Sequence, residues 1–115
     1  VINVDEFKEN IEAFAQMRDW EQFHTPKNLA CALSVEASEL LEIFQWMNES
    51  DQKNISIEKK EAVADELSDI LTYAIRLAGV MDINISDSIE KKIEKNAKKY
   101  PADLVRGSSK KYDEY

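Results

Sequence analysis

The sequence is poor in the residues that punctuate and cross-link a chain. Two glycines and two prolines in 115 residues leave few turn or breaker signals, so long helices with few connections are expected. No stretch alternates apolar and polar residues as a half-buried strand does, and neither a repeat nor a low-complexity tract is present. Cys31 is the only cysteine. An internal disulfide is thereby excluded, a reducing compartment fits, and the thiol is expected to fill a helix face. His24 is the only histidine, which argues against a His-rich zinc site. No apolar run nears the ~20 residues of a membrane span, and the start lacks the apolar core of a secretory signal. A cytoplasmic protein with no membrane partner is expected. Positive charge is also in deficit: the formal net charge is −8, and such a surface repels polyanions, so a long nucleic acid is a poor partner.

What is present suits one folded domain spanning 1–115. Hydrophobic residues make up 43% and charged residues 33%, enough for a modest core that oligomerisation could extend. Asp5 can cap a first helix reaching about residue 18, with Val4, Phe7, Ile11, Phe14 and Ala15 on one face. Residues 19–25 read as a link. Thr25-Pro26 then has the form of an N-cap followed by proline at the first helical position. A second helix is expected over 26–48, followed by a polar turn over 49–54. Ser56 can cap a third helix reaching about residue 77, with Gly79 near its C-terminal end. Ser86 can cap a fourth that stops before Pro101. Residues 101–115 read as an extended or mobile tail. The expected fold is all-α, a four-helix bundle.

Acids at i,i+3 spacing are abundant here, Glu6/Glu9 and Asp87/Glu90 among them, and most such pairs belong on a solvated surface. Position around the helix separates two pairs from the rest. At about 100° per residue, Leu29, Leu33, Leu40, Ile43 and Met47 all fall within about 60° of Glu36, and Glu39 lies at the edge of that face. On the third helix Val63, Ile70, Tyr73 and Leu77 surround Glu66, with Asp69 one step to the side. Each of two helices thus sets one acid in the middle of its apolar stripe and a second on its flank.

Buried, uncompensated carboxylates cost several kcal/mol each and repel one another. Three remedies exist: protonation, pairing with a basic residue such as Lys92, or a bound cation. A hard divalent ion suits this set of oxygen ligands, and Mg²⁺ keeps waters that a phosphate can replace, with Mn²⁺ as a substitute. A di-iron centre would want Glu-x-x-His on the helices, and neither pair has it. On the fourth helix, Lys92 and Asn96 interrupt the stripe of Ile85, Ile89, Ile93 and Tyr100. They either approach phosphate and sugar or serve as a snorkelling lysine and a polar filler. Trp20, Trp46 and Tyr73 are either core aromatics or a stacking platform for a base.

Glu36-Ala-Ser-Glu39 followed by Glu66-Leu-Ser-Asp69 resembles the E-x-x-E and E-x-x-D signature of the MazG-like, all-α nucleotide pyrophosphohydrolases. Arg18-Asp-Trp-Glu-Gln-Phe-His24, Phe44-Gln-Trp46, Tyr100-Pro101 and Arg106-Gly-Ser-Ser-Lys-Lys-Tyr112 resemble the dCTP pyrophosphatase branch, in order along most of the chain. The resemblance implies Mg²⁺ on Glu36, Glu39, Glu66 and Asp69. It implies nucleotide contacts from Trp20, Glu21, Gln22, Phe23, His24, Trp46 and Tyr73, and phosphate and sugar contacts from Lys92, Asn96 and Tyr100. It further implies hydrolysis of a deoxynucleoside triphosphate to monophosphate and pyrophosphate, as nucleotide-pool housecleaning, by a homo-oligomer arranged as a dimer of dimers. Ile11 departs from the branch: the animal enzymes carry a base-gripping histidine there, so dATP or a modified base stays open beside dCTP. Two alternatives remain. One is a dUTP- or phosphoribosyl-ATP-type enzyme on the same bundle, and the other is a non-catalytic helical interaction module with its acids in structural ion pairs.

Overall fold

Short polar side chains begin each long helix by accepting a hydrogen bond from an otherwise unpaired backbone N–H. Asn3 accepts from the Glu6 N–H at 3.1 Å, Thr25 from Asn28 at 3.2 Å, Ser56 from Lys59 at 3.2 Å and Asn84 from Asp87 at 3.1 Å. The computed structural model describes residues 3–107, and every regular element among them is helical. The helices are α1 (Val4–Met17), α2 (Pro26–Phe44), α3 (Glu49–Lys53), α4 (Ile57–Val80), α5 (Ile85–Lys99) and α6 (Ala102–Val105), with a 3₁₀ turn at Glu21–Phe23. The chain is all-α, as expected, and no helix among the described residues is long and apolar enough to cross a membrane.

Several boundaries differ from the sequence expectation. Asn3 and Asn84 are the caps of α1 and α5, and Asp5 and Ser86 lie inside the first turns. The second helix stops at Phe44, where the Met47 N–H tightens onto the Phe44 carbonyl at 2.9 Å. Asn48 and Asp51 then cap each other's backbone N–H groups, and this capping box nucleates α3 within the segment expected to be a turn. Gly79 lies inside α4, and the left-handed residue that ends the helix is Asp82, at φ 55°. The Ile83 N–H reaches the Ala78 carbonyl and the Asp82 N–H reaches that of Gly79, a Schellman ending built without glycine. Asp19, at φ 53°, ends α1 the same way through Trp20 to Ala15 and Asp19 to Gln16. Ala102–Val105 is helical where extended chain was expected; the remainder of that tail lies outside the described residues.

The chain forms two compact units, the first ending at Ile83 and the second beginning at Asn84. In the first, α2 packs along α4 and α1 packs on α4. Ala15, Leu29 and Ala78, one from each of these helices, are the buried apolar residues. Phe7 and Phe14 of the expected α1 stripe stay about half exposed, while Ala15 is buried and Ile11 half-buried. A Cβ on Gly79 would stand 3.3 Å from Glu12 Oε1 and 3.4 Å from Lys8 Cε, so α1 passes close to Gly79 with movable side-chain atoms at the contact. In the second unit, α5 has Ile85 half-buried and Ile89 and Ile93 exposed, with Lys98 and Lys99 in its last turn, where they complement the helix dipole.

Candidate metal centre

The α2–α4 packing brings the mid-stripe acids together. Glu36 and Glu66 are half-buried and Glu39 is exposed, and one carboxylate oxygen from each lies within 4.8 Å of the others. Glu36 Oε2 and Glu66 Oε2 are closed to solvent and have no hydrogen-bond partner among the described residues. Asp69 is exposed and stands outside this three-oxygen cluster, although its charge is felt at Glu36. The flank positions read from the helical wheel thus hold for both pairs, but three acids converge rather than four.

The electrostatics follow from this crowding. Proton sharing that the close Glu66 carboxyl favours holds Glu36 above its ordinary value; burial and the charges of Asp69 and Glu66 add to the effect, and the Glu39 carboxyl opposes it. Glu39 is also raised, first by proton sharing with the close Glu36 carboxyl and then by the Glu36 charge. Without a cation, the cluster is relieved only by retaining protons, which is what buried like charges do. Orphaned, solvent-closed oxygens on an all-oxygen donor set are the features a hard divalent ion satisfies, so these residues fit such an ion.

The expected nucleotide residues lie in four places. Residues 20–24 follow α1 as a braced segment. Trp20 meets Phe14 edge-on at 5.7 Å and His24 at 6.5 Å. Gln22 donates to the Asp19 carbonyl and carboxylate, and Asn28 donates to the Phe23 carbonyl. Glu21 opens the 3₁₀ turn, and Phe23 projects with 59% exposure. Trp46 lies in the turn after α2 and is 89% exposed, beyond the helix end on which it was expected. Tyr73 is half-buried on α4, one turn past Asp69. Lys92 and Asn96 are exposed on α5 of the second unit, and Tyr100 is its C-cap, with its N–H on the Asn96 carbonyl at 2.8 Å.

One residue went unread in the sequence. Arg76 is buried, with 8% exposure, and its Nε donates to His24 Nδ1 at 3.0 Å. Burial first, and the Arg76 charge second, lower the His24 pKa, with Glu21 pulling the other way. The available signal was a lone cation inside the otherwise apolar run of residues 73–81, within about 20° of Asp69 around the helix.

Residues 31–115 match the MazG-like family. Human dCTP pyrophosphatase 1 is 42% identical over 103 residues, covering 88% of this chain and 61% of the human protein. The bovine dCTP pyrophosphatase 1 is 43% identical over 101 residues, covering 86% of this chain and 60% of that protein. The chain therefore spans about three fifths of the length of these relatives. A crystal structure of a pyrophosphatase from Archaeoglobus fulgidus superposes with a TM-score of 0.78 at 42% identity, covering 84% of this chain and 91% of that one. With the family match running through α2, α4 and α5 and a fold shared at this identity, the chain belongs to the MazG-like family.

Proposed function

We propose that this chain is a divalent-metal-dependent nucleoside triphosphate pyrophosphohydrolase. It converts a deoxynucleoside triphosphate, dCTP-like first and dATP second, into the monophosphate and pyrophosphate. Glu36 and Glu66 carry the proposal, because each comes from a different helix and holds an oxygen shut off from both water and donors. The human and bovine relatives, dCTP pyrophosphatases, and the archaeal neighbour, a pyrophosphatase, support the same class.

Glu36, Glu39 and Glu66 would hold the ion, Mg²⁺ or Mn²⁺ in its place, with Asp69 as the fourth acid of the set. Bound there, such an ion supplies positive charge beside the phosphate oxygens. Glu39 is the cluster member open to solvent. It can orient a water by accepting its hydrogen bond and take the proton as that water attacks the α-phosphorus. Pyrophosphate leaves on the opposite side. Trp20, Glu21, Gln22, Phe23, His24, Trp46 and Tyr73 hold the base and sugar, with stacking worth about 1–3 kcal/mol per base. Lys92, Asn96 and Tyr100 steady the phosphates and sugar. No covalent nucleophile is needed: the sole histidine is engaged by Arg76, and Cys31 has no base to activate it.

The family match over 31–115 runs across both compact units, which supports one domain over 1–115. Leu41, Leu67 and Leu71, exposed on α2 and α4, support a homo-oligomer, a dimer of dimers. A role in clearing cytoplasmic nucleotide pools goes with this reading. Incubating the purified chain with each deoxynucleoside triphosphate and Mg²⁺, with separation by HPLC, tests it. Monophosphate and pyrophosphate should appear in equal amounts and vanish in EDTA. Failure to release monophosphate from any triphosphate overturns the proposal.

A further inference from the structure

The Arg76–His24 bond is unusual in its reach. Every other side-chain hydrogen bond of residues 19–25 closes within five residues, whereas this one spans 52 and ties the segment to α4. Arginine is charged at every accessible pH and can only donate. An imidazole nitrogen that faces it must therefore offer a lone pair, so Nδ1 carries no hydrogen, and a neutral ring then carries its hydrogen on Nε2. The ring's other neighbour, Trp20, is held edge-on and rests in turn against Phe14. Arg76, His24, Trp20 and Phe14 thus form one connected brace, and its anchor lies one turn beyond Tyr73 on the helix that bears Glu66 and Asp69.

We infer that Arg76 is a positioning residue for nucleotide binding. It locks His24 as the neutral Nε2–H tautomer and pins residues 20–24 to α4, so that the segment offers a nucleotide a fixed N–H donor and a fixed aromatic edge. A hydrogen-bond acceptor is the matching chemistry, a carbonyl oxygen or ring nitrogen of the base. The lowered His24 pKa agrees with a ring kept neutral. The link to catalysis rests on the pyrophosphohydrolase proposal; the tautomer does not.

Because His24 is the only histidine, its ring can be read directly in the full chain by two-bond ¹H–¹⁵N correlation at neutral pH. The wild type should show one neutral pattern with Nε2 protonated. Arg76→Met keeps the stem and removes the guanidinium, and it should give exchanging tautomers. Arg76→Gln, which can still donate, should restore most of the wild-type pattern. In turnover assays the Met variant should raise KM about tenfold, as loss of one oriented hydrogen bond does, and leave kcat within about twofold. A wild-type ring protonated on Nδ1, or on both nitrogens, overturns the inference without recourse to any variant. So does an Arg76→Met protein whose ring pattern and KM match the wild type. A wild type with the expected pattern but no turnover sinks the enzyme proposal and leaves the lock standing.

Discussion

Neutralising Glu36 should make the metal-free protein harder to melt and remove its response to divalent ions. Three carboxylate oxygens lie within 4.8 Å of one another, two of their groups have an orphaned oxygen, and no cation of the chain compensates those orphaned atoms among the described residues. An ion that binds only the folded state adds RT ln(1 + [M]/Kd), about 1.4 kcal/mol at tenfold excess over Kd. For a domain of this size that is about 5–8 °C in Tm. If Glu36→Gln weakens the ion about 100-fold, the same ion concentration is a tenth of the new Kd and the gain falls below ~0.5 °C. Differential scanning fluorimetry in EDTA and across a Mg²⁺ titration gives both numbers, with Glu61→Gln on the exposed side of α4 as the control. The wild type should climb with Mg²⁺, and the variant should start higher and stay flat. A wild type that ignores Mg²⁺ and Mn²⁺ alike, or a variant that climbs as steeply from the same starting Tm, would refute a metal site at Glu36.

Three further outcomes follow from the same geometry. Glu36 and Glu39 lie above the ordinary carboxyl value of 4.5 in the folded chain, so the fold keeps protons that the unfolded chain releases. Stability in EDTA should therefore fall as pH rises from 4.5 through those raised values. The Mg²⁺-induced gain should grow over the same range, because the ion takes the deprotonated acids; parallel melting curves in EDTA and Mg²⁺ would refute this. Leu29→Ala removes the largest fully buried side chain and should cost about 3 kcal/mol in urea unfolding, and a loss under ~1 kcal/mol would mean that α2 does not anchor there. Gly79→Ala should add about 0.5–1 kcal/mol, since Gly79 is inside a helix and the atoms its Cβ would meet are movable side-chain tips; a loss above ~1 kcal/mol would show that the α1–α4 approach needs the bare backbone.

The legible parts of the fold are those written in local chemistry. Thr25-Pro26 and Ser56 start α2 and α4 where a cap and a proline say they should, and the wheel around Glu36 and Glu66 predicted which acid of each pair would be covered. Helix ends were harder to read, for a physical reason. Both Schellman endings use aspartate in a left-handed conformation, at a cost of ~1–2 kcal/mol that glycine would have avoided, so no glycine marked the stop. The short α3 arises from a reciprocal cap inside a polar stretch whose composition looks like any turn. Arg76 was invisible because a single arginine on a long helix is ordinarily a surface residue. Its burial goes with a hydrogen bond to His24, 52 positions away, which no local pattern announces.

The same face of α2 carries the largest fully buried side chain among the described residues and a carboxylate of the three-acid cluster. Leu29 and Glu36 are two turns apart and within about 20° of each other around the helix. At Leu29 that face closes on the core, and one fully buried leucine offsets a few kcal/mol. At Glu36 it meets Glu66 across α4, where burial brings repulsion and an unsatisfied oxygen. A fold selected for stability alone would carry Leu or Met at both positions, because replacing buried ionic groups by apolar ones of similar volume is often stabilising. Acids on two helices held against that gradient make sense when a ligand of opposite charge returns the stability at the moment it binds. The penalty in the empty fold and part of the affinity for the ion then have the same source. Residues that cost the apo protein stability should therefore be the ones whose neutralisation removes the metal response, and exposed acids such as Glu61 should do neither.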